Sequence, residues 1–356
     1  MLAKRGFRGY TVFGGEMLKV YFDSGTTNTR VYFIDENGKI VWRTEKEVGS
    51  KDAAVSGDKE LLPRNLSELL RLGLDELGIV EDCVESVWMS GMITSPNGIV
   101  EVPHISVPVD AEKLASRVFK YNEEKFFKRE INFIAGIKTV VDGTVITPEN
   151  VAQINNMRGE ETEICGIIDG KFLGDGTSVL IMPGSHTQIA VVKDGKIVNI
   201  ISTITGELFK ALKTQTILSA SLEGESPELD EKMVKLGYKN LVELGFNRAI
   251  YIDRSMLLFT DSTAEMRHSY LEGVLNGGVL QAICAVLGKQ SLKAYVCGSQ
   301  KQFRIIKAIA EDFFPEYKVE KLENSRENPF SVMGFKAIYR QFCRLQADCR
   351  QPADRL

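Results

Sequence analysis

The sequence predicts an α/β protein built on a duplicated β-β-β-α-β unit, and three observations carry that expectation. Two stretches far apart in the chain each run strand, Gly/hydroxyl turn, strand, hairpin, strand. Apolar residues at helical spacing follow each stretch, and a short apolar strand follows the helices. The 356 residues, 44% hydrophobic and 26% charged, leave room for two cores and exclude a disordered, collagenous or small disulfide-held chain.

Residues 1–16 (MLAKRGFRGYTVFGGE) are Gly-rich and basic without apolar period, so they are expected to be a tail, or Met17 is the true start. LKVYFD, the turn SGTTN, TRVYFID, the hairpin signal Glu36-Asn37-Gly38 and KIVWRTEKEV then form a three-stranded antiparallel meander, because β-branched and aromatic residues alternate around Asn-Gly. Residues 61–77 space their apolar side chains as an amphipathic helix, and the strand SVWMSG follows. The polar loop 91–98 leads to VEVPHISVPV, which returns to strand pattern.

From Ser178 the opening recurs as SVLIMPG, the turn SHT, QIAVVK, Asp194-Gly195 and KIVNIISTITG. Aligning Gly25 on Gly184 puts Thr26 with Ser185, so the likeness reaches the unusual turn upstream of each hairpin. Helical patterns follow at 206–218, 226–244 and 270–287, then the strand LKAYVCGS and a helix over 302–314. The division expected is a domain over 17–150, a second over 151–343, and a polar tail at 344–356.

With 44 Lys+Arg against 48 Asp+Glu the net charge is -4, which lacks the basic footprint that nucleic acid or an anionic membrane requires. No apolar run approaches the ~20 residues that cross a bilayer, so a cytoplasmic protein is expected. The six cysteines contain no C-x-x-C pair and read as buried or incidental thiols. His104, His186 and His268 match no metal-ligand spacing.

Asp23-Ser24-Gly25-Thr26-Thr27-Asn28 lies between two apolar strands where a plain hairpin needs only two turn residues. Small residues around Gly25 expose backbone N–H groups and hydroxyls, which make an anion nest for phosphate. Asp23, at the strand end just before the nest, stands where Mg²⁺ is held through water. Pro183-Gly184-Ser185-His186-Thr187 supplies a second nest, and two facing nests would clamp a polyphosphate. Val296-Cys297-Gly298-Ser299 ends a strand before a helix, where an adenosine can rest on a Gly-opened backbone. No Walker A loop competes, since Gly288-Lys289 is followed by Gln290. Met157-Arg158-Gly159-Glu160-Glu161 opens a helix with acids in its first turn. Arg158 is expected to hold an acceptor carboxylate, and Glu160 or Glu161 to take a hydroxyl proton. In the loop after SVWMSG, Ser95 and Asn97 are candidates for a substrate wall.

The stretches FDSGTTNTR, GMITSPNGIVEVP, NMRGEETEICG, MPGSHTQ, STITGELF, YLEGVLNGG, YVCGS and VMGFKAI resemble the 2-dehydro-3-deoxygalactonokinases, sugar-acid kinases of the actin, Hsp70 and hexokinase superfamily. The resemblance runs in order from Met17 to about Arg344 and implies two ribonuclease-H-like domains around a nucleotide cleft holding ATP and Mg²⁺. It further implies that Asp23 to Asn28 form the first phosphate motif, Pro183 to Thr187 the second and Val296 to Ser299 the adenosine motif, with Arg158, Glu160 and Glu161 at the acceptor end. Ser24, Ile99 and His104 depart from the family's Trp, Trp and Tyr, and Thr187-Gln188-Ile189 from its Ser-Lys-Trp. The activity so implied is ATP-dependent phosphorylation of the 6-hydroxyl of a 2-keto-3-deoxy sugar acid, with ATP and the acid as the partners and room left for a homodimer. The alternative is a nucleotide-responsive binding protein of the same fold without transfer chemistry.

Overall fold

The computed structural model describes residues 17–224 and 228–350, so the expectation for residues 1–16 lies outside it. The chain divides into two compact units, each interrupted in sequence. The first holds the chain up to Asp142, Met157–Lys171 and the segment from Ser325, and the second holds Gly143–Asn156 and Phe172–Asn324. The expected boundary at residue 150 is therefore corrected: the MRGEE helix and the C-terminal helix belong to the first unit. The segment expected as a tail from residue 344 is helical as far as Arg350.

In the first unit, β1 (Leu18–Ser24), β2 (Thr29–Ile34) and β3 (Ile40–Lys46) form the expected antiparallel meander. Helices α1 (Ser50–Ser56) and α2 (Leu61–Leu77) follow, and β4 (Val84–Gly91) returns parallel to β1. Leu62, Leu66, Leu69, Leu70 and Leu74 recur at helical spacing along α2 and are all buried. VEVPHISVPV departs from expectation: it forms only the two-residue strand β5 (Ile105–Ser106), because Pro103 and Pro108 interrupt the ladder.

After α3 (Ala111–Ala115) come β6 (Phe119–Glu123) and β7 (Arg129–Phe133), giving a six-stranded sheet in the order β3-β2-β1-β4-β7-β6. The short strands β8 (Ile137–Lys138) and β9 (Asn156–Met157) join β5 in a separate small sheet. Helix α4 (Glu160–Asp169) packs against the C-terminal helix Phe330–Arg350 with their backbones in contact. A Cβ on Gly334 would overlap the Thr162 carbonyl oxygen, and one on Gly166 would overlap that of Phe330. Phe335 stacks on Tyr21 of β1 at 4.8 Å between ring centroids and lies 5.7 Å from Trp88 of β4. All three rings are buried, each contributing about 1.5–3 kcal/mol on the usual area scale.

The second unit repeats the arrangement. Strands β10 (Thr177–Met182), β11 (His186–Lys193) and β12 (Lys196–Ile204) form the second meander, with Asp194 and Gly195 both at positive φ in its hairpin. Its sheet runs β12-β11-β10-β13-β14, where β13 (Leu292–Val296) is parallel to β10 as β4 is to β1, and β14 (Tyr317–Lys321) extends it. The helices are α5 (Gly206–Gln215), α6 (Glu231–Leu244), α7 (Phe246–Phe259), α8 (Ala264–Leu287) and α9 (Gln300–Phe313). Helix α7 is an addition to the expected set, set off from α6 by Gly245 at φ 77°. One helix, α8, is long and apolar enough to cross a bilayer by length and composition, against the expectation that none would be. Its residues Tyr270, Val274, Val279, Leu280 and Ile283 are spent on the core of this unit.

Candidate active site

Within the first unit the functional turn is closed by Gly25 N donating to Asn28 O at 2.8 Å, which sets Ser24 opposite Thr29 and Asp23 opposite Arg30. Ser24 Oγ lies 2.9 Å from Thr29 Oγ1, and Thr29 donates to the Val48 carbonyl at 2.7 Å, so these two hydroxyls hold the turn from inside. Thr27 and Asn28 are exposed and Thr26 half-buried. The turn is backed by the start of α1, where Lys51 N donates to Thr26 O at 3.0 Å and a Cβ on Gly49 would overlap that same oxygen.

Two further glycines bring the acids to this turn. Gly91 ends β4 at φ 88°, and a Cβ there would overlap the Ser24 carbonyl oxygen. Gly159, at φ 119°, would put a Cβ 3.3 Å from the Gly91 Cα. The ends of β1 and β4 and the start of α4 thus converge, and Asp23 and Glu160 come together.

The carboxylates gathered there are not ordinary acids. Burial raises the Asp23 carboxyl above its usual range, opposed by Arg30, whose Nη1 lies 3.5 Å from Asp23 Oδ2, and by the Ser331 hydroxyl. Glu160 is pushed up to about 7, first by burial, with backbone N–H groups holding it down and the Asp23 charge adding to the rise. Glu161 is fully buried and pushed up to about 8 by burial and then by the Glu160 charge. Its Oε2 accepts from Gly159 N at 2.6 Å, while Oε1 has no hydrogen-bond partner among the described residues. Burial, then the charges of Asp23 and Glu160, raise Glu163 as well. Carboxyl groups raised in this way can accept a proton and, once ionised, attract a cation.

Arg158 does not present a free fork. Its Nη1 donates to the Thr94 carbonyl at 2.6 Å and to the Thr94 hydroxyl, and its Nη2 to the Val102 carbonyl at 3.1 Å and to the His104 ring. Both of its terminal nitrogens are thus engaged within the protein. Ser95 is buried, and its hydroxyl has no partner among the described residues, whereas Asn97 is exposed.

In the second unit the corresponding turn has the same construction. Thr187 Oγ1 lies 2.7 Å from Thr205 Oγ1, so the Thr187 hydroxyl is buried and supports the turn from inside. Gly184, Ser185 and His186 are exposed, and His186 Nε2 lies 3.3 Å from Glu207 Oε2. The turn is backed by the start of α5: Glu207 N donates to Ser185 O at 2.9 Å, and a Cβ on Gly206 would overlap the Gly184 carbonyl oxygen. A Cβ on Gly298 would stand 3.2 Å from the Pro183 ring, so the expected adenosine motif abuts this turn. The Ser299 hydroxyl caps α9 by accepting from Gln302 N at 3.2 Å. Both units therefore place their candidate groups at the carboxyl ends of parallel neighbours, where α/β sheets open to ligands.

Sequence reasoning passed over Arg30, Glu163 and Ser331. Arg30 had a signal, because a turn closed from Gly25 to Asn28 puts it directly across from Asp23. Glu163 had one too, three residues after Glu160 on the same helical face. Ser331 had none, lying about three hundred residues away on the C-terminal helix.

The sequence profile of the 2-keto-3-deoxy-galactonokinase family matches residues 23–320. A curated relative, called Probable 2-dehydro-3-deoxygalactonokinase DgoK1, from Rhizobium meliloti (strain 1021), is 25% identical over 197 residues. That match covers 55% of this chain and 56% of the relative, so the chain spans little more than half the length of the curated protein it matches. A crystal structure of a candidate 2-dehydro-3-deoxygalactonokinase from Sinorhizobium meliloti superimposes with a TM-score of 0.71 at 19% identity, covering 93% of this chain and 99% of that one. At that identity the likeness speaks for the fold alone.

Proposed function

The chain belongs to the 2-keto-3-deoxy-galactonokinase family, and from that premise we propose that it transfers the γ-phosphoryl group of ATP to the 6-hydroxyl of a 2-keto-3-deoxy sugar acid, 2-dehydro-3-deoxy-D-galactonate first among them. The observation that carries this reading is Glu160 standing within reach of the Asp23 charge at the converging ends of α4 and β1, beside the Gly25–Asn28 turn. Glu160 serves as the general base. Its acidity near neutrality matches a group that must be ionised to take the hydroxyl proton and basic enough to keep it. Glu161 is enclosed and tied to Gly159 N, so it sets the entry of α4 and leaves the proton to its neighbour.

The Gly25–Asn28 turn and the Gly184–His186 turn serve phosphate oxygens, each stiffened from behind by a helix start that only glycine lets approach so closely. Gly298 and Ser299 offer a backbone surface for the nucleoside. Ser95, with its unsatisfied buried hydroxyl, and Asn97 serve the acceptor. Mg²⁺ fits the chemistry at the end of β1, where Asp23 is a hard oxygen donor with the Glu160 and Glu163 carboxylates near enough to feel its charge. Asp23 would hold the cation together with phosphate oxygens and water, and its role when bound would be to neutralise phosphate charge. The reading makes the protein a cytoplasmic enzyme whose partners are ATP and the sugar acid.

A coupled ADP-release screen over 2-keto-3-deoxy acids, with and without Mg²⁺, tests it. Mg²⁺-dependent turnover with at least one acid is expected. Nucleotide binding without turnover on any acid would leave a nucleotide-responsive binding protein instead.

A further inference from the structure

We propose that Arg158 is a positioning residue, a clamp that fixes the loop from Gly91 to His104 against the start of α4, and that it does not read the acceptor's carboxylate. The proposal rests on the kinase reading for its catalytic consequence but not for its structural content. A guanidinium has five N–H donors, four of them on the two terminal nitrogens. Here those nitrogens meet four acceptors: the Thr94 carbonyl and hydroxyl on one side, the Val102 carbonyl and His104 ring on the other. A bidentate grip on a carboxylate needs two parallel N–H groups on one edge, and each edge includes at least one terminal nitrogen already committed.

The acceptors span both ends of the loop. Between them the loop is closed by Ile99 N to Ile93 O at 2.9 Å and by Val102 N to Thr94 O at 3.0 Å, so the Thr94 carbonyl is shared between the loop's own ladder and Arg158. The space for this arrangement is made by Gly136, whose Cβ would stand 2.9 Å from His104 Cδ2 and 3.2 Å from Arg158 Cβ. Burial and the Arg158 charge hold the His104 ring down to about 4, so it meets the guanidinium unprotonated, as an acceptor. Arg158 is two residues from Glu160, while Ser95, with its unsatisfied hydroxyl, is next to Thr94. One side chain thereby fixes the distance between the acceptor loop and the proposed base.

Lysine cannot reach both carbonyls with one ammonium. Arg158→Lys is therefore expected to lower kcat and raise the acceptor KM while the ATP KM stays near wild type. The loss in kcat/KM should be on the order of tenfold to a hundredfold, the usual result of a small misplacement. The decisive comparison uses two acceptors, the best sugar acid from the screen and its neutral carboxamide. An equal penalty on both supports a clamp, and a penalty that vanishes with the carboxamide shows that Arg158 reads the carboxylate and overturns the proposal. Hydrogen exchange on the ligand-free protein gives a second arm that needs no turnover. Faster exchange at the Ile99 and Val102 amides in Arg158→Lys is expected, and unchanged exchange there overturns the clamp even if wild type phosphorylates neither acceptor. Should Arg158→Lys fail to fold, Thr94→Val removes the bond that the hydroxyl accepts from Arg158 together with the one it donates to the Gly91 carbonyl, and it is expected to speed the same two amides, with no change again counting against the proposal.

Discussion

Glu160 and Glu161 are adjacent in sequence yet ~100° apart around the helix, and that turn alone gives them different work. Glu160 is partly open and senses Asp23, whereas Glu161 is sealed with one oxygen bonded and the other bare. Glu160→Gln is expected to lower kcat by about 10²–10⁴ with KM little changed, measured by ADP release, because a base acts on the proton in transit. Glu161→Gln should act on stability instead. Its carboxyl is raised from 4.5 to about 8 on folding, so the folded state binds the proton more tightly. Stability contributed by the protonated form is complete below the unfolded value and lost as pH rises through the folded one. The amide carries no such loss, so urea unfolding should show the variant gaining on wild type between pH 5 and pH 9, by the linkage of protons to folding. A constant difference across that range would mean that Glu161 is ionised throughout.

At the scale of elements, the two turns are held by the same device, a glycine that opens the following helix and lies against the turn's carbonyl oxygens. Gly49 does this for Thr26 and Gly206 for Gly184. Gly49→Ala and Gly206→Ala should each destabilise by about 1–3 kcal/mol, the usual result of forcing an atom into filled space, and each should weaken nucleotide binding. Denaturant unfolding and nucleotide titration measure both. Gly57→Ala is the control for a helix-end glycine, since its Cβ would meet nothing within 4 Å and the cost there is only that of φ 68°. If Gly206→Ala binds nucleotide normally, the turn it supports does not hold phosphate.

For the molecule as a whole, the first unit depends on a helix from the far end of the chain. The helix Phe330–Arg350 brings Phe335 onto Tyr21 and Trp88, Ser331 to Asp23, and Gly334 against the Thr162 carbonyl on the helix that carries Glu160. Gly334→Ala should lose about 1–3 kcal/mol by overpacking and reduce turnover with it. Hydrogen exchange followed by peptide should place the loss of protection in β1, β4 and α4, with β10 to β13 unaffected. Equal loss in both sets of strands would mean that the two units unfold as one.

What is local was legible in the order of the residues. Alternating residues around Glu36-Asn37-Gly38 and Asp194-Gly195 made both meanders legible, the leucine spacing made α2 legible, and the recurrence of Gly25 at Gly184 exposed the duplication, since strand, turn and helix periods are written within a few residues of one another. The candidate acids Asp23 and Glu160 were legible for the same reason, each standing at the end of a recognisable element. Tertiary structure decided which of these meet. Gly91 and Gly159 carry no local signal of the close approach that brings Asp23 to Glu160, the carbonyls of Thr94 and Val102 that occupy Arg158 belong to a loop more than fifty residues upstream, and the C-terminal helix reads as polar once its apolar stripe thins out. Long-range contacts depend on shape and on backbone groups that every residue shares, so the residue types alone do not announce them.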